Sequence, residues 1–435
     1  MMNDAIRFLD KIDWNFKGAK TQYLSHTIHP YPARFIPQIP STFIKLFTRE
    51  RETVLDPFSG SGTTLVEAFL HNRNSIGNDL NPLAVLISKV KTTLINEEKF
   101  GYFNEKLVLL NSYLSQNDRC NKLSNKKLSR IFNDDVVLRV EAIRRFLLDI
   151  KEDGYDDLYD FGRVALSSAI WLLIENNSNR DIIDVFRRKV FSMQKEMVKM
   201  VKTIKDVPKV KINCQDARKL DVENNSTDLI VTSPPYVNAL DYHRIHMHGL
   251  FWLDMDYEFF RKNEIGSHSS FASNRFRLFS KYLGDMLRSM IEMNRVLKKD
   301  KLCVIVVGNS SLEYELIESH KFFADMSVKI GFKPKKTFFR EIDKTRKYTS
   351  LDVGKIDSEY ILVMQKVKDS DFPATDDDFI AKVVKEQMLK FREKVYKNPG
   401  SSIKGRIPLK ERLLKNVDKI DEAIEKIPTD TKIRK

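Results

Sequence analysis

Cysteine is nearly missing from this chain. There are three in 435 residues, and Cys120, Cys214 and Cys303 stand too far apart for a metal-ligand or disulfide pattern. Long apolar runs are missing too: none approaches the roughly 20 residues that a membrane-crossing helix needs. The first residues carry no secretory pattern. Reduced thiols without export or membrane signals lead us to expect a cytoplasmic protein with no membrane partner. No segment repeats at a fixed period, which excludes solenoids and propellers. Acidic residues fall short of basic ones, 60 against 74, for a formal charge of +14. That excess favours a polyanionic partner. A chain of this length buries at least one large core and has room for a second lobe.

What is present gathers at strand ends. Thr232-Ser233-Pro234-Pro235-Tyr236 follows the apolar run Asp228-Leu229-Ile230-Val231. Neither proline has a backbone N–H, and each holds its predecessor extended. Carbonyls around Ser233 and Pro234 are thereby left to face a cleft, with the flat ring of Tyr236 beside them. Such a set accepts hydrogen bonds from an exocyclic amino group while stacking on the planar base that bears it. A strand followed by a stiffened loop and a packing tyrosine would read the same way.

Val54 to Ala68 reads as a short strand, a small-residue turn and the start of a helix. Gly60 and Gly62 allow close backbone approach and a sharp entry into the helix, whose free N–H groups await an acceptor. No lysine follows the second glycine, so this is not a phosphate loop, and Leu65 stands where a dinucleotide fingerprint has its third glycine. A cradle for a ligand with a small anionic end remains, such as an amino-acid carboxylate. Ser75 to Pro82 is the next strand end, with Asp79 where an acidic side chain accepts from ribose hydroxyls. Val210 to Ala217 is a third, ending in Asp216. Singly, either aspartate reads as a helix cap or a turn residue. Together with Asp56 and the proline-rich strand end they form a pattern.

These residues resemble the amino-methylating DNA methyltransferases, which use S-adenosylmethionine to methylate an exocyclic base nitrogen. Asp56, Pro57, Phe58, Gly60, Gly62, Thr63 and Thr64 match that family's cofactor loop. Asp79, with Asn81 beside it, matches the ribose-binding acidic position, and Asp216 with Ala217 the contact to the cofactor's adenine. Tyr31 lies in His29-Pro30-Tyr31-Pro32-Ala33-Arg34-Phe35-Ile36-Pro37, which resembles the segment closing the methionine end. Ser233, Pro234, Pro235 and Tyr236 match the catalytic motif in the form typical of the cytosine-N4 branch; the adenine-N6 branch usually has Asp or Asn in place of Ser233. Met293 to Lys298 and Leu302 to Asn309 resemble the helix and fifth strand of the same core. The likeness covers residues 20–95 and 205–365, in the unpermuted order with the cofactor loop first.

The resemblance implies an α/β, Rossmann-like class I methyltransferase fold with a mostly helical insertion and a basic helical C-terminal tail. Residues 1–95 would hold the N-terminal segment and the first half of the core, 96–205 the insertion, 206–368 the second half, and 369–435 a linker and the tail. The interval from Asp79 to Asp216 exceeds by roughly a hundred residues what a strand–helix unit needs. Helical spacing in Val136 to Leu148 and Val164 to Ile174 makes the insertion a helical lobe. Its basic residues, Arg144 and Arg145 among them, are either a solvated face or a contact to DNA. Tyr242 and Arg244, just past the catalytic motif, are further nucleic-acid candidates. His243, His246 and His248 share no helix face and join no cysteine or carboxylate cluster, so no metal is expected. Ile265 to Ser270 reads as a mobile loop. Asp369 to Asp378 reads as a linker, and the lysine-rich tail, broken at Pro399-Gly400-Ser401-Ser402, as a DNA-binding appendage, a dimer contact or a loose end.

The function implied is methylation of the N4 amino group of a flipped cytosine in double-stranded DNA, in a restriction–modification setting with a cognate endonuclease as partner. Adenine-N6 methylation is the alternative, with RNA or protein-amide acceptors behind it. A carbon-5 enzyme is set aside, because no Pro-Cys pair exists in the chain.

Overall fold

The computed structural model describes residues 2–114, 132–175, 180–238, 240–267, 271, 273–342, 358–399 and 410–428. Cys120, His268 to Ser270 and the break at Gly400-Ser401-Ser402 lie outside the described residues. Helices α1 (Met2–Leu9) and α2 (Gln38–Phe47), with a 3₁₀ turn at Leu24–Thr27 between them, lead into the core. Two strand–helix units follow, β1 (Thr53–Asp56), α3 (Thr63–Leu70), β2 (Asn74–Asp79) and α4 (Pro82–Lys91). Four helices then form a lobe: α5 (Glu97–Val108), α6 (Asp134–Glu152), α7 (Asp156–Glu175) and α8 (Ile182–Thr203).

The chain returns to the sheet as β3 (Val210–Cys214) and β4 (Thr227–Thr232). After α9 (Tyr242–Trp252), α10 (Tyr257–Asn263) and α11 (Arg275–Val296) come β5 (Leu297–Gly308) and a small hairpin, β6 (Ser310–Leu312) and β7 (Glu315–Ile317). Then α12 (Ser319–Lys329), β8 (Phe332–Glu341), β9 (Ser358–Lys366), α13 (Asp377–Lys397) and α14 (Lys410–Glu425) complete the order.

Seven strands make one sheet in the order β3-β2-β1-β4-β5-β9-β8. The first five are parallel, and β9 runs antiparallel between β5 and β8. All six residues of β4 are buried, as expected of a central parallel strand covered on both faces. Strand order reverses between β1 and β4. In such sheets ligands bind outside the carboxyl ends of the strands at that reversal, so Asp56 and Thr232, the last residues of β1 and β4, mark where a site belongs. Among the described residues, no helix is long and apolar enough to cross a membrane.

The lobe is seated on the core. Gly249 of α9 meets α7 so closely that a Cβ there would lie 2.8 Å from the Ser167 hydroxyl. Arg163 of α7 also donates to the Leu253 carbonyl at 3.2 Å. The insertion therefore braces the helix that follows the proline-rich strand end. The tail packs on the core through α13 and α14. Ile380, Val383, Val384, Met388, Phe391 and Val395 recur at helical spacing along α13 and share a core with α11 and with Val417, Ile420 and Ala423 of α14. Nor is the preceding segment a free linker: Arg288 donates to the Ala374 carbonyl, Asn294 accepts from Ser370 N–H at 2.9 Å, and Phe372 stacks on Phe379 at 3.9 Å. The lysines of α13 lie around an apolar stripe that packs on α11, the pattern of an amphipathic helix.

Candidate active site

An open cleft lies at the strand-order reversal, where sheets of this kind bind ligands. Its loop wall comes from residues 57–63. Gly62 ends the turn at φ +82° and caps α3; a Cβ there would stand 2.8 Å from the Ser88 hydroxyl of α4. That hydroxyl donates to the Gly60 carbonyl at 2.8 Å. Left-handed geometry and close approach both demand glycine at this position. Asp79 finishes the loop from β2: its two carboxylate oxygens accept the Gly60 and Asn81 N–H groups, each at 2.8 Å. Burial pushes its carboxyl up to about 6.

Asp56 sits behind this wall, fully buried. Its Oδ1 accepts from the Thr232 hydroxyl at 2.6 Å and from Phe58 N–H at 3.1 Å, and its Oδ2 has no partner among the described residues. Burial pushes this carboxyl up to about 7, against the opposing effect of those hydrogen bonds. The Thr64 hydroxyl donates to the Val231 carbonyl at 3.1 Å. β1 and α3, which flank the loop, are thus each tied to β4.

Of the residues singled out from sequence, Tyr31, Pro57, Phe58, Gly60, Thr63, Asp79, Asp216, Ala217, Ser233, Pro235 and Tyr242 line the one cleft. Asp56, Gly62, Thr64, Asn81, Pro234 and Tyr236 do not line it. Asn81 caps α4 by accepting from Leu83 N–H at 3.1 Å. Asp216 is gripped by Arg218 Nε at 2.9 Å, and the same guanidinium donates to Asp285 of α11 at 2.6 Å. Tyr282 donates its hydroxyl to the Pro235 carbonyl at 2.9 Å. Arg244 is 68% exposed beside Asp241. Arg144 lies apart on α6, paired with Glu141 at 2.8 Å and with Asp254; its neighbour Arg145 is also on the lobe.

Sequence reasoning missed several groups here. Glu264 lines the cleft and accepts from Tyr242 N–H at 2.7 Å, while His243 Nδ1 lies 2.5 Å from its other oxygen. It caps α9 from 22 residues downstream, a partnership without any local signal. Arg34, Phe260, Asn263 and Ile265 also line the wall, and Ile265 and Ser267 are buried. His246 stacks on Tyr31 at 4.6 Å, and burial holds its imidazole down to about 3. His248 packs edge-on against Phe132.

The model of a family described as DNA methylase, covering N6- and N4-amino enzymes, matches residues 9–90 and 227–425. The Type II methyltransferase M.MvaI of Kocuria varians is 24% identical over 413 residues, covering 79% of this chain and 89% of that protein. The Type II methyltransferase M.MjaII of Methanocaldococcus jannaschii is also 24% identical, over 71% of this chain and 77% of its own length. A solved SAM-dependent methyltransferase of Methanosarcina mazei overlaps 75% of this chain and 97% of its own, at 10% identity and a TM-score of 0.31. The two matched stretches, well over half of the chain, carry the cofactor loop and the proline-rich strand end, and they skip the helical lobe: the chain belongs to the N6/N4 DNA methylase family and is an S-adenosylmethionine-dependent DNA amino-methyltransferase.

Proposed function

We propose that this chain methylates the exocyclic N4 amino group of cytosine in double-stranded DNA, after turning the base out of the stack. Ser233 carries this reading: a hydroxyl, not a carboxylate or carboxamide, stands on the cleft wall at the end of β4, as in the cytosine-N4 form of the motif.

S-adenosylmethionine, when bound, supplies an electrophilic methyl group on a sulfonium centre. The cleft residues fit it. Asp79, Asp216 and Glu264 make the wall acidic, suited to hydroxyl and amino donors and to a cation. Ser59 and Ser61 bring buried hydroxyls without partners among the described residues. Phe58 and Ile265 offer apolar faces. In our reading Asp79 accepts from ribose hydroxyls, Asp216 and Ala217 meet the adenine edge, and Gly60 to Thr63 with Tyr31 enclose the amino-acid end.

On the acceptor side, Ser233 and the Pro234 carbonyl accept hydrogen bonds from the base's amino group. That aims the nitrogen lone pair at the methyl carbon and offsets its growing positive charge. Tyr236 stacks on the extruded ring, worth on the order of 1–3 kcal/mol. With no strong base in the motif, the amino proton released on methylation would leave to solvent rather than to Ser233. Arg244, exposed near the cleft, grips backbone phosphate. The Type II names of the relatives support a restriction–modification setting with a cognate endonuclease.

Nucleoside mass spectrometry on DNA from a methylation-free host expressing the chain tests this. The expected result is N4-methylcytosine, absent with Ser233→Ala. N6-methyladenine would overturn the choice of base, and unmethylated DNA from active, folded protein would overturn the substrate.

A further inference from the structure

Tyr236 does not end in open space. The antiparallel register of β8 and β9 sets Arg340 directly opposite Glu359, and these side chains are only 6% and 9% exposed. Arg340 donates to Glu359 Oε2. The other carboxylate oxygen, Oε1, accepts the Tyr236 hydroxyl at 3.0 Å. One carboxylate therefore serves two partners, one from its own hairpin and one from the strand end 123 residues earlier.

The backbone around Tyr236 is already held by other contacts. Pro235 O accepts from Tyr282 at 2.9 Å, Asn238 N–H donates to Gly266 O at 3.2 Å, and Asn238 Nδ2 donates to Ser311 O at 3.2 Å. These contacts fix where the side chain begins and leave the swing of its ring to be limited at the far end. At 3.0 Å the hydrogen bond is of ordinary length, and its buried acceptor, held by Arg340, fixes the position of the phenol oxygen. Burial, and then the Glu359 charge, hold the phenol well above its usual range, so the hydroxyl remains a donor. Stability alone does not call for this pair, since apolar residues of similar volume replace buried ion pairs at little cost. The pair does supply a charged acceptor at one fixed point beneath the ring.

We propose that Glu359, oriented by Arg340, is a positioning residue that fixes where the ring of Tyr236 lies for the acceptor base. The proposal rests on the base-stacking reading of Tyr236. Without the tether the ring swings out of register with the extruded base, and misplacement on the scale of 1 Å costs up to about 100-fold in rate.

Three variants test it by single-turnover methyl transfer at saturating cofactor, with cofactor Kd measured alongside. Glu359→Gln keeps the shape and loses the charge. Tyr236→Phe loses only the hydroxyl and leaves the Arg340–Glu359 pair intact, so it serves even where Glu359→Gln folds poorly. Each is expected to slow transfer about tenfold or more with cofactor Kd within about twofold, and the double variant to be no slower than the worse single one. Wild-type rates in Tyr236→Phe, or fully multiplicative losses in the double variant, would overturn the tether. Tyr236→Ala separates the two readings: if it transfers normally, base stacking itself fails, whereas if it alone is crippled, stacking stands and the tether fails.

Discussion

The two sides of the cleft are built by different means. On the cofactor side the ties are local: Gly60 to Asp79 spans 19 residues and Ser88 to Gly60 spans 28. On the acceptor side they are distant: Thr232 reaches Asp56 across 176 residues and Tyr236 reaches Glu359 across 123. The glycine loop of the cradle is closed by the strand and helix that follow it, β2 and α4, and needs the correct small residues. An acceptor pocket assembled from separate elements needs the whole sheet in place. The cofactor side should therefore fail through single backbone changes, and the acceptor side through loss of long-range tethers.

The largest effect expected on the cofactor side is from Gly62→Val. A β-branched residue at φ +82° costs about 1–3 kcal/mol in backbone strain, and its side chain would strike Ser88. Calorimetry should find cofactor binding abolished and the melting temperature lowered; normal binding would mean that the turn tolerates a side chain. Asp79→Ala comes next. It removes the acceptor for Gly60 and Asn81 N–H, and cofactor Kd should rise about 10-fold or more, with transfer at saturating cofactor largely kept. Unchanged affinity would remove the ribose assignment.

A pH profile probes the junction between the sides. The Asp56 carboxyl titrates near 7 when folded and near about 3.9 when unfolded. Between those values the folded chain holds a proton that the unfolded chain has released. Its stabilising contribution is fully present below about pH 4 and is lost as pH rises through about 7. Asp79, raised to about 6, acts in the same direction. Asp56→Asn is neutral at every pH, so its melting temperature should decline less than that of the wild type across this window. Parallel profiles would show that Asp56 is ionised throughout.

The smallest effect concerns the lobe. Arg144 is occupied by Glu141 and Asp254, so Arg144→Ala should leave DNA affinity within about twofold and cost under about 1 kcal/mol of stability. Arg244→Ala should weaken DNA binding severalfold and flatten its salt dependence. The reverse ranking in a salt titration would move the DNA surface onto the lobe.

The same contrast explains what could be read from sequence. Strand, turn and helix from Val54 to Ala68, and the strand ends at Asp79, Asp216 and Thr232, follow from residue types that dictate their own backbone. Most of the cofactor loop and Ser233 accordingly meet at one cleft. Glu264 and Glu359 were invisible because their partners, His243 and Tyr236, lie elsewhere in the chain and nothing in a short window marks a carboxylate as a tether. The packing of α13 was hidden for a related reason. Its lysines dominate composition, while its buried face emerges only when α11 is there to receive it.

The most direct test of this two-sided account is the cofactor affinity of Tyr236→Ala, measured beside its single-turnover rate. The account predicts a Kd close to wild type with transfer slowed about 100-fold or more. A variant that loses cofactor affinity in step with its rate would contradict it, because the two sides would then be one.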